Sequence, residues 1–307
     1  MSRHDHAPAL LISVDVDALY HCRWASGSHR SRWHDHKQAC QAIYGGDGPD
    51  QDYLDALKWS GELFAELGIQ ATFFILTEMA STMPQLVREL DAQGHEIALH
   101  GEHHWDNTRF DAEAFRQMIR RSREALAQIV GKPIVGYRAP NLIIESHHLK
   151  VLDQEGFLYD SSICPSRPLF GKFSAMQHAP DQPYHPSAED MATPGDLSIV
   201  ELPLGVFPLI RWPSSTGIFT RALGNWWSQI GVGAMLRQGY GLYYFHPWEV
   251  ARPYRPEPSS LYLKLFLRRC GTPYRHFLTK QLARWGKQAN MMTSADYARH
   301  WLAQSKS

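Results

Sequence analysis

Very little in this chain points to disulfide chemistry, a membrane span or a nucleic-acid partner. Its 307 residues hold four cysteines, Cys22, Cys40, Cys164 and Cys270, scattered with no CxxC spacing. That argues against a cysteine zinc knuckle or a dithiol redox motif and suits a reducing compartment. No stretch approaches the ~18 consecutive apolar residues that a membrane-crossing helix needs. The opening Met-Ser-Arg-His-Asp-His-Ala-Pro lacks the apolar centre of a signal peptide, and the first apolar run leads directly to Asp15 and Asp17. A cytoplasmic protein is expected. Charge of one sign is missing as well: Lys plus Arg and Asp plus Glu both number 31, so no nucleic-acid partner is expected. Acid is locally absent from 258–295, where Lys264, Arg268, Arg269, Arg275, Lys280, Arg284 and Lys287 occur. Such a run is a solvated helix face or, on the functional reading, a peripheral dock for an anionic membrane surface or a phosphate-bearing substrate.

What is present is an ordinary globular composition, 44% apolar and 20% charged, in a chain long enough to bury a full core. Short apolar runs at 10–14, 71–76, 96–100, 134–138, 157–160, 198–202 and 241–245 read as strands, with a last one near 290–293. Helical periodicity appears at 52–67, 84–93, 111–130, 146–155 and 221–237. Strands alternating with helices predict an α/β fold with a parallel, barrel-like sheet and right-handed crossovers. A single domain over 1–307 is expected, interrupted by an irregular, proline-rich loop at 164–195 and ending in a basic, mainly helical segment at 258–307. Loops that long in a compact domain are usually functional, and this one is a candidate lid.

Two residue pairs carry the chemistry. Asp15 and Asp17 end the first strand in Ser-Val-Asp-Val-Asp, and His100 and His104 follow the third in His-Gly-Glu-His-His. Residues two apart on an extended chain point the same way, so one aspartate can hold a cation while the other faces the space beside it. Histidines four apart lie about 5–6 Å apart on one side of a turn, near enough to share an ion. Asp17, His100 and His104 would hold a divalent metal, Zn²⁺ first with Co or Ni as alternatives, and leave a position open for water. Asp15 would be the general base. His103 is the competing ligand.

In order along the chain, Ser-Val-Asp-Val-Asp, His-Gly-Glu-His-His, Tyr137-Arg138-Ala139-Pro140, Tyr159-Asp160-Ser161-Ser162 and Phe245-His246-Pro247 resemble the motifs of the polysaccharide deacetylase family, carbohydrate esterase family 4 with its NodB-homology domain. The resemblance implies a distorted (β/α)7 barrel of the NodB type and metal-dependent removal of an acyl group from an acylated carbohydrate. It implies that Arg138 pairs with Asp15 and that His246 is the general acid. A backbone amide at or near the residue after Tyr159 would help to hold the oxyanion. Tyr137 and Pro140 would border the substrate, with Trp105 and Trp248 as sugar-stacking platforms. Trp212, Trp226 and Trp227 are further aromatics, the adjacent pair suiting core packing. An acid histidine charged near neutral pH needs a carboxylate neighbour, for which Asp160 and Glu201 are the candidates.

Two departures bear on the substrate. The Asp-Val-Asp spacing and Tyr44-Gly45-Gly46-Asp47 resemble the branch that holds peptidoglycan deacetylases and allantoinase-like amidohydrolases, whereas Tyr244-Phe245-His246-Pro247-Trp248-Glu249 resembles the exosortase-associated deacetylases of exopolysaccharide clusters. His103 stands where Ser or Thr is usual. A deacetylase of an N-acylated sugar polymer, or of its lipid- or nucleotide-linked precursor, is the leading expectation. An amidohydrolase of a cyclic imide or ureide and a non-catalytic carbohydrate-binding relative are the alternatives. The oligomeric state stays open.

Overall fold

Every residue of the first strand, Ala9–Val16 (β1), is buried, and its two faces serve two different cores. Leu10, Ile12, Val14 and Val16 join the packing between sheet and helices, while Leu11 packs with Phe74, Tyr159, Leu202 and Tyr244 in a second cluster. Strand side chains alternate, so the second cluster is the interior of a curled sheet and the first is its outer layer. Ser13 and Asp15 share the parity of Leu11 and face that interior.

The computed structural model describes residues 7–21, 51–169, 172–252, 264 and 266–305. Tyr44-Gly45-Gly46-Asp47, Cys22, Cys40 and part of the basic segment lie outside the described residues. The strands that follow β1 are Thr72–Ile75 (β2), Glu96–Leu99 (β3), Gly136–Tyr137 (β4), Tyr159–Asp160 (β5), Val200–Glu201 (β6), Tyr240–Phe245 (β7) and Asn290–Met292 (β8). All pair in parallel, in the order β6-β5-β4-β3-β2-β1-β7. This is the distorted (β/α)7 barrel of the NodB type, open between β6 and β7. Along one edge β1 pairs with β7 over Ala9–Val14; along the other, β8 takes Ala9–Leu11 and β2 takes Ser13–Val16.

Helices Gln51–Leu67 (α1), Thr77–Thr82 (α2), Pro84–Ala92 (α3), Ala112–Val130 (α4) and Ser146–Gln154 (α5) cover the outside of the first half. Asp111 caps α4 by accepting from the Ala114 amide, and Gly131 ends it in a left-handed conformation. Gly136 is required by close approach, because a Cβ there would meet the Tyr159 ring at 2.1 Å.

Where one helix over 221–237 is expected, there are two, Gly217–Leu223 (α6) and Asn225–Leu236 (α7), broken at Gly224 with φ 105°. Apolar periodicity alone does not register that break; glycine's freedom makes it. Among its described residues the 164–195 loop holds no helix. Its Tyr184 exchanges backbone hydrogen bonds with Glu201 and so covers the open edge of β6. Of its described residues, Leu169, Lys172 and Phe173 line the pocket at the mouth of the barrel. After the short helix Pro247–Val250 (α8), Thr272–Trp285 (α9) packs Phe277, Leu278 and Trp285 into the outer core, and Ser294–Ser305 (α10) closes the chain. Among the described residues no helix is long and apolar enough to cross a membrane.

Candidate metal centre and active-site pocket

The pocket lies at the C-terminal ends of β1, β3 and β7, the end of a parallel barrel where side chains from separate strands converge. Its floor is Asp15, Asp17, His100, His104 and His246, and its walls include Asn141, Leu142, Lys172, Phe173, Phe219 and Tyr244. The floor is deeply buried: Asp15 is 3% exposed, Asp17 and His100 2% each.

Asp17, His100 and His104 each offer a ligand atom, and these atoms lie within 4.8 Å of one another. Each is oriented by a neighbour. The Trp248 indole donates to Asp17 Oδ1 at 3.1 Å, which leaves Oδ2 facing His104 Nε2 at 3.0 Å. His100 Nδ1 donates to the Arg138 carbonyl at 2.9 Å, so its Nε2 carries the lone pair. Burial pushes His100 down to about 4 and lowers His104 as well. Burial would raise Asp17, but His246, His104 and His21 outweigh it and hold this carboxyl below the usual range. One anionic carboxylate and two neutral imidazoles are the protonation states that a divalent cation requires of its ligands, so the residues fit the ion.

Asp15 stands beside this triad. Arg138 donates to its Oδ1 at 2.6 Å, to Ser13 Oγ at 2.9 Å and to the Ser161 carbonyl at 2.9 Å. The guanidinium lies inside the barrel over the Phe74 ring at 4.1 Å, fully buried. A buried charge so fixed holds the carboxylate in one rotamer.

The partner of His246 is Glu249, which corrects the expectation of Asp160 or Glu201. His246 Nδ1 lies 2.8 Å from Glu249 Oε1, which also accepts from the His246 amide at 3.0 Å. Asp160 and Glu201 are register partners on β5 and β6 instead. Burial raises both carboxyls, and the Asp160 charge raises Glu201 further. Burial would lower His246, yet Asp17, Glu249 and Asp15 raise it to about 9. Arg221 donates to Glu249 Oε2 at 2.7 Å and completes a buried chain of charges. His-Pro-Trp-Glu is a helix start with Pro at the first position and Glu at the third, a capping-box spacing through which sequence reading could have found Glu249.

His103 is drawn away from the triad: its Nδ1 lies 2.6 Å from Glu78 Oε2, while Glu78 Oε1 lies 3.3 Å from His21. His21 in turn stacks on His104, with centroids 5.4 Å apart.

The expected sugar contacts lie outside the pocket lining. Trp248 is 4% exposed, and its two faces are taken by His246 and Phe266. Tyr137 is buried and hydrogen-bonded to Asn107. Pro140 packs against Gly101, and Trp105 lies half-buried against His103. None of these four side chains lines the pocket. Asn141, Lys172 and Phe173 do, and no periodicity or spacing marked them.

A family model described as polysaccharide deacetylase matches residues 47–159. The chain is 30% identical over 156 residues to a peptidoglycan deacetylase-like protein of Gibberella zeae, an alignment covering 50% of this chain and 43% of that protein. It is 28% identical over 116 residues to the peptidoglycan-N-acetylglucosamine deacetylase of Bacillus cereus, covering 36% and 40%. The chain thus spans less than half the length of these curated relatives. A solved candidate polysaccharide deacetylase from Mycobacterium smegmatis superposes with a TM-score of 0.65 at 25% identity, over 99% of this chain and 94% of that one. An allantoinase structure shares the fold at a TM-score of 0.61 and 17% identity, over 96% and 90%. Residues 47–159 thus match the polysaccharide deacetylase family, and the likeness to the Mycobacterium smegmatis structure extends its fold over nearly the whole chain.

Proposed function

We propose that this chain is a metal-dependent hydrolase that removes an acetyl or formyl group from an N-acylated sugar. The sugar belongs to a polysaccharide or to its lipid- or nucleotide-linked precursor. The observation that carries this reading is the convergence of Asp17, His100 and His104 within 4.8 Å, with Asp15 and His246 on the same floor. A divalent cation held by that triad, Zn²⁺ first and Co²⁺ or Ni²⁺ next, would polarise the acyl carbonyl and make a water more acidic.

The chain's own residues supply the rest. Asp15, fixed by Arg138, takes a proton from the attacking water as its oxygen bonds to the acyl carbon. His246, with Glu249 as the counter-charge that favours its protonated form, gives its Nε2 proton to the sugar nitrogen as the C–N bond breaks. Glu249 holds Nδ1, so Nε2 is the nitrogen aimed at the pocket. The products are a free amine and a carboxylate. Tyr244 and Phe219 give the walls an apolar character that limits water to the floor.

The test is acetate and formate release from a panel of N-acylated sugars and cyclic imides. Chelator-stripped protein is compared with protein reloaded with Zn²⁺, Co²⁺ or Ni²⁺. Activity on the sugars that vanishes on stripping and returns with metal is expected; full activity of the stripped protein would overturn the reading. The Asp15-Val16-Asp17 spacing favours a second reading, an amidohydrolase of small cyclic imides or ureides. Turnover of imides with none of acylated sugars would establish it instead.

A further inference from the structure

We infer that this protein docks on an anionic lipid bilayer through an apolar knuckle at the mouth of its pocket, built from the 206–213 loop and the outer faces of α6 and α7. The inference is independent of the hydrolytic reading. Among the described residues, the large apolar side chains left exposed all fall between 209 and 230. Leu209 is 92% exposed and Trp226 53%, with Ile210, Trp212, Leu223 and Ile230 beside them in sequence. Isolated exposed leucines are unremarkable in soluble proteins, but six large apolar side chains gathered on one segment mark a binding surface.

The knuckle is constructed rather than frayed. Phe207 stacks on Trp227 with centroids 4.0 Å apart and meets Trp226 edge-on at 5.9 Å. The Trp227 indole donates to the Pro213 carbonyl at 2.8 Å, which clamps both ends of the loop on α7. Leu209 and Arg211 have φ of 68° and 55°, a left-handed conformation that non-glycine residues rarely hold without support. Support comes from the Arg211 guanidinium, which donates to the carbonyls of Pro165, Gln177 and Ala179 at 3.1, 3.3 and 3.3 Å. The loop is therefore tied from behind, with Leu209 at its tip.

Helix α7 continues the surface. A helix on the outside of a water-soluble barrel ordinarily carries charges on its outer face. From Asn225 through Leu236 there is none, and Trp226 and Ile230 face outward on that stretch. The first charge is Arg237, exposed just past its end.

Charge selects the occupant. No acidic residue occurs from 202 through 248, or again from 258 through 295. Arg268 and Arg269 are exposed, and Arg269 donates to the Arg221 carbonyl at 3.2 Å, which sets a cation beside Leu223 and Gly224. Apolar tips with tryptophans and a rim of arginines match the acyl boundary and the anionic headgroups of a bilayer. A second copy fits less well, because Asp181, beside Leu209 and Arg237, is the one acid lining the hollow under the loop tip, against the exposed Arg237, Arg268 and Arg269. Pro213, Ile218 and Phe219 come from the same loop and helix and line the pocket, so a docked protein would open its site toward the lipid.

The experiment is flotation of the full chain with phosphatidylcholine vesicles, with and without phosphatidylglycerol, at low and at physiological salt. Tryptophan emission is followed in parallel. The wild-type protein should float with the anionic vesicles, with a blue shift as Trp212 and Trp226 leave water. The double variant Leu209→Asp/Trp226→Asp should lose at least about tenfold in bound fraction, and Arg268→Gln/Arg269→Gln about fivefold per cation removed. Both variants should keep the wild-type melting transition, because the replaced side chains are exposed. Three results would overturn the inference: wild-type protein left in the soluble fraction with anionic vesicles, apolar-site variants that float as well as wild type, or sedimentation equilibrium showing a dimer that Leu209→Asp dissociates.

Discussion

The pocket floor and the 206–230 knuckle distribute charge and carbon in opposite ways. On the floor and in the charges packed behind it, Asp15, Arg138, Arg221 and Glu249 are all nearly or wholly withdrawn from water, and each has a partner of opposite sign. On the knuckle, Leu209 and Trp226 stand exposed, and along the chain from 209 to 236 the only charges are Arg211 and Arg221, both tied into the fold by their hydrogen bonds. Ordinary folding would bury the leucine and expose the arginine. Burying charge costs several kcal/mol per ion unless it is matched, and exposing a large apolar side chain forfeits about 1.5–3 kcal/mol. On the readings proposed above, both departures serve interaction with something outside the chain: a polar reaction on the floor, an apolar surface at the rim.

That contrast can be broken from the floor side first. Asp15→Asn should reduce turnover of the best acylated sugar by about 10²–10⁴-fold, the range for removing a positioned base, with the metal content of the protein unchanged. Metal analysis beside the kinetics separates loss of the base from loss of the ion. Turnover within a fewfold of wild type would remove Asp15 from the reaction.

Glu249→Gln comes next and has two readouts. It leaves Arg221 buried without its counter-charge, so stability should fall by about 3–5 kcal/mol in denaturant titration. It also removes one of the groups that raise His246. An acid histidine works only while protonated, so activity falls as pH rises through its pKa, and the alkaline limb of the pH profile should move to lower pH in the variant. The same group links stability to pH. Its folded value of about 9 exceeds the ordinary 6.5, so its contribution is complete below about 6.5 and fades as pH rises through about 9. An unmoved alkaline limb would mean that Glu249 is structural only.

Gly136→Ala tests the interior with no change of charge. The added methyl meets the Tyr159 ring in a packed barrel, and about 1–3 kcal/mol of stability should be lost. The smallest expected effect belongs to the knuckle: Leu209→Asp should change stability in water by no more than about 0.5 kcal/mol, as at other surface sites. A substantially larger loss would mean that Leu209 is covered in solution, and the contrast with the floor would dissolve.

The alternation of strands and helices was legible because each strand is a short apolar run and each helix an apolar stripe, so local period carried the topology. Paired polar residues at strand ends were legible for the same reason: Asp15 and Asp17 lie two apart at the end of β1, and alternation alone puts them on one side. Gly224 shows the limit, since one residue's φ divides a run whose composition is helical throughout. The sugar contacts show another. An aromatic beside a motif, such as Trp248, can serve the site from behind by donating to Asp17, and sequence does not say which face is open.

By itself, the sequence determined the alternation of strands and helices and the pairing of Asp15 with Asp17 and of His100 with His104, because these follow from period and from adjacency along a strand or a turn. Tertiary structure alone decided that these two pairs converge with His246 on one pocket floor, and that Asp160 and Glu201 stand side by side on β5 and β6. Those contacts join residues from separate elements, and their distances are set by the curl of the sheet and the packing of its loops rather than by spacing along the chain.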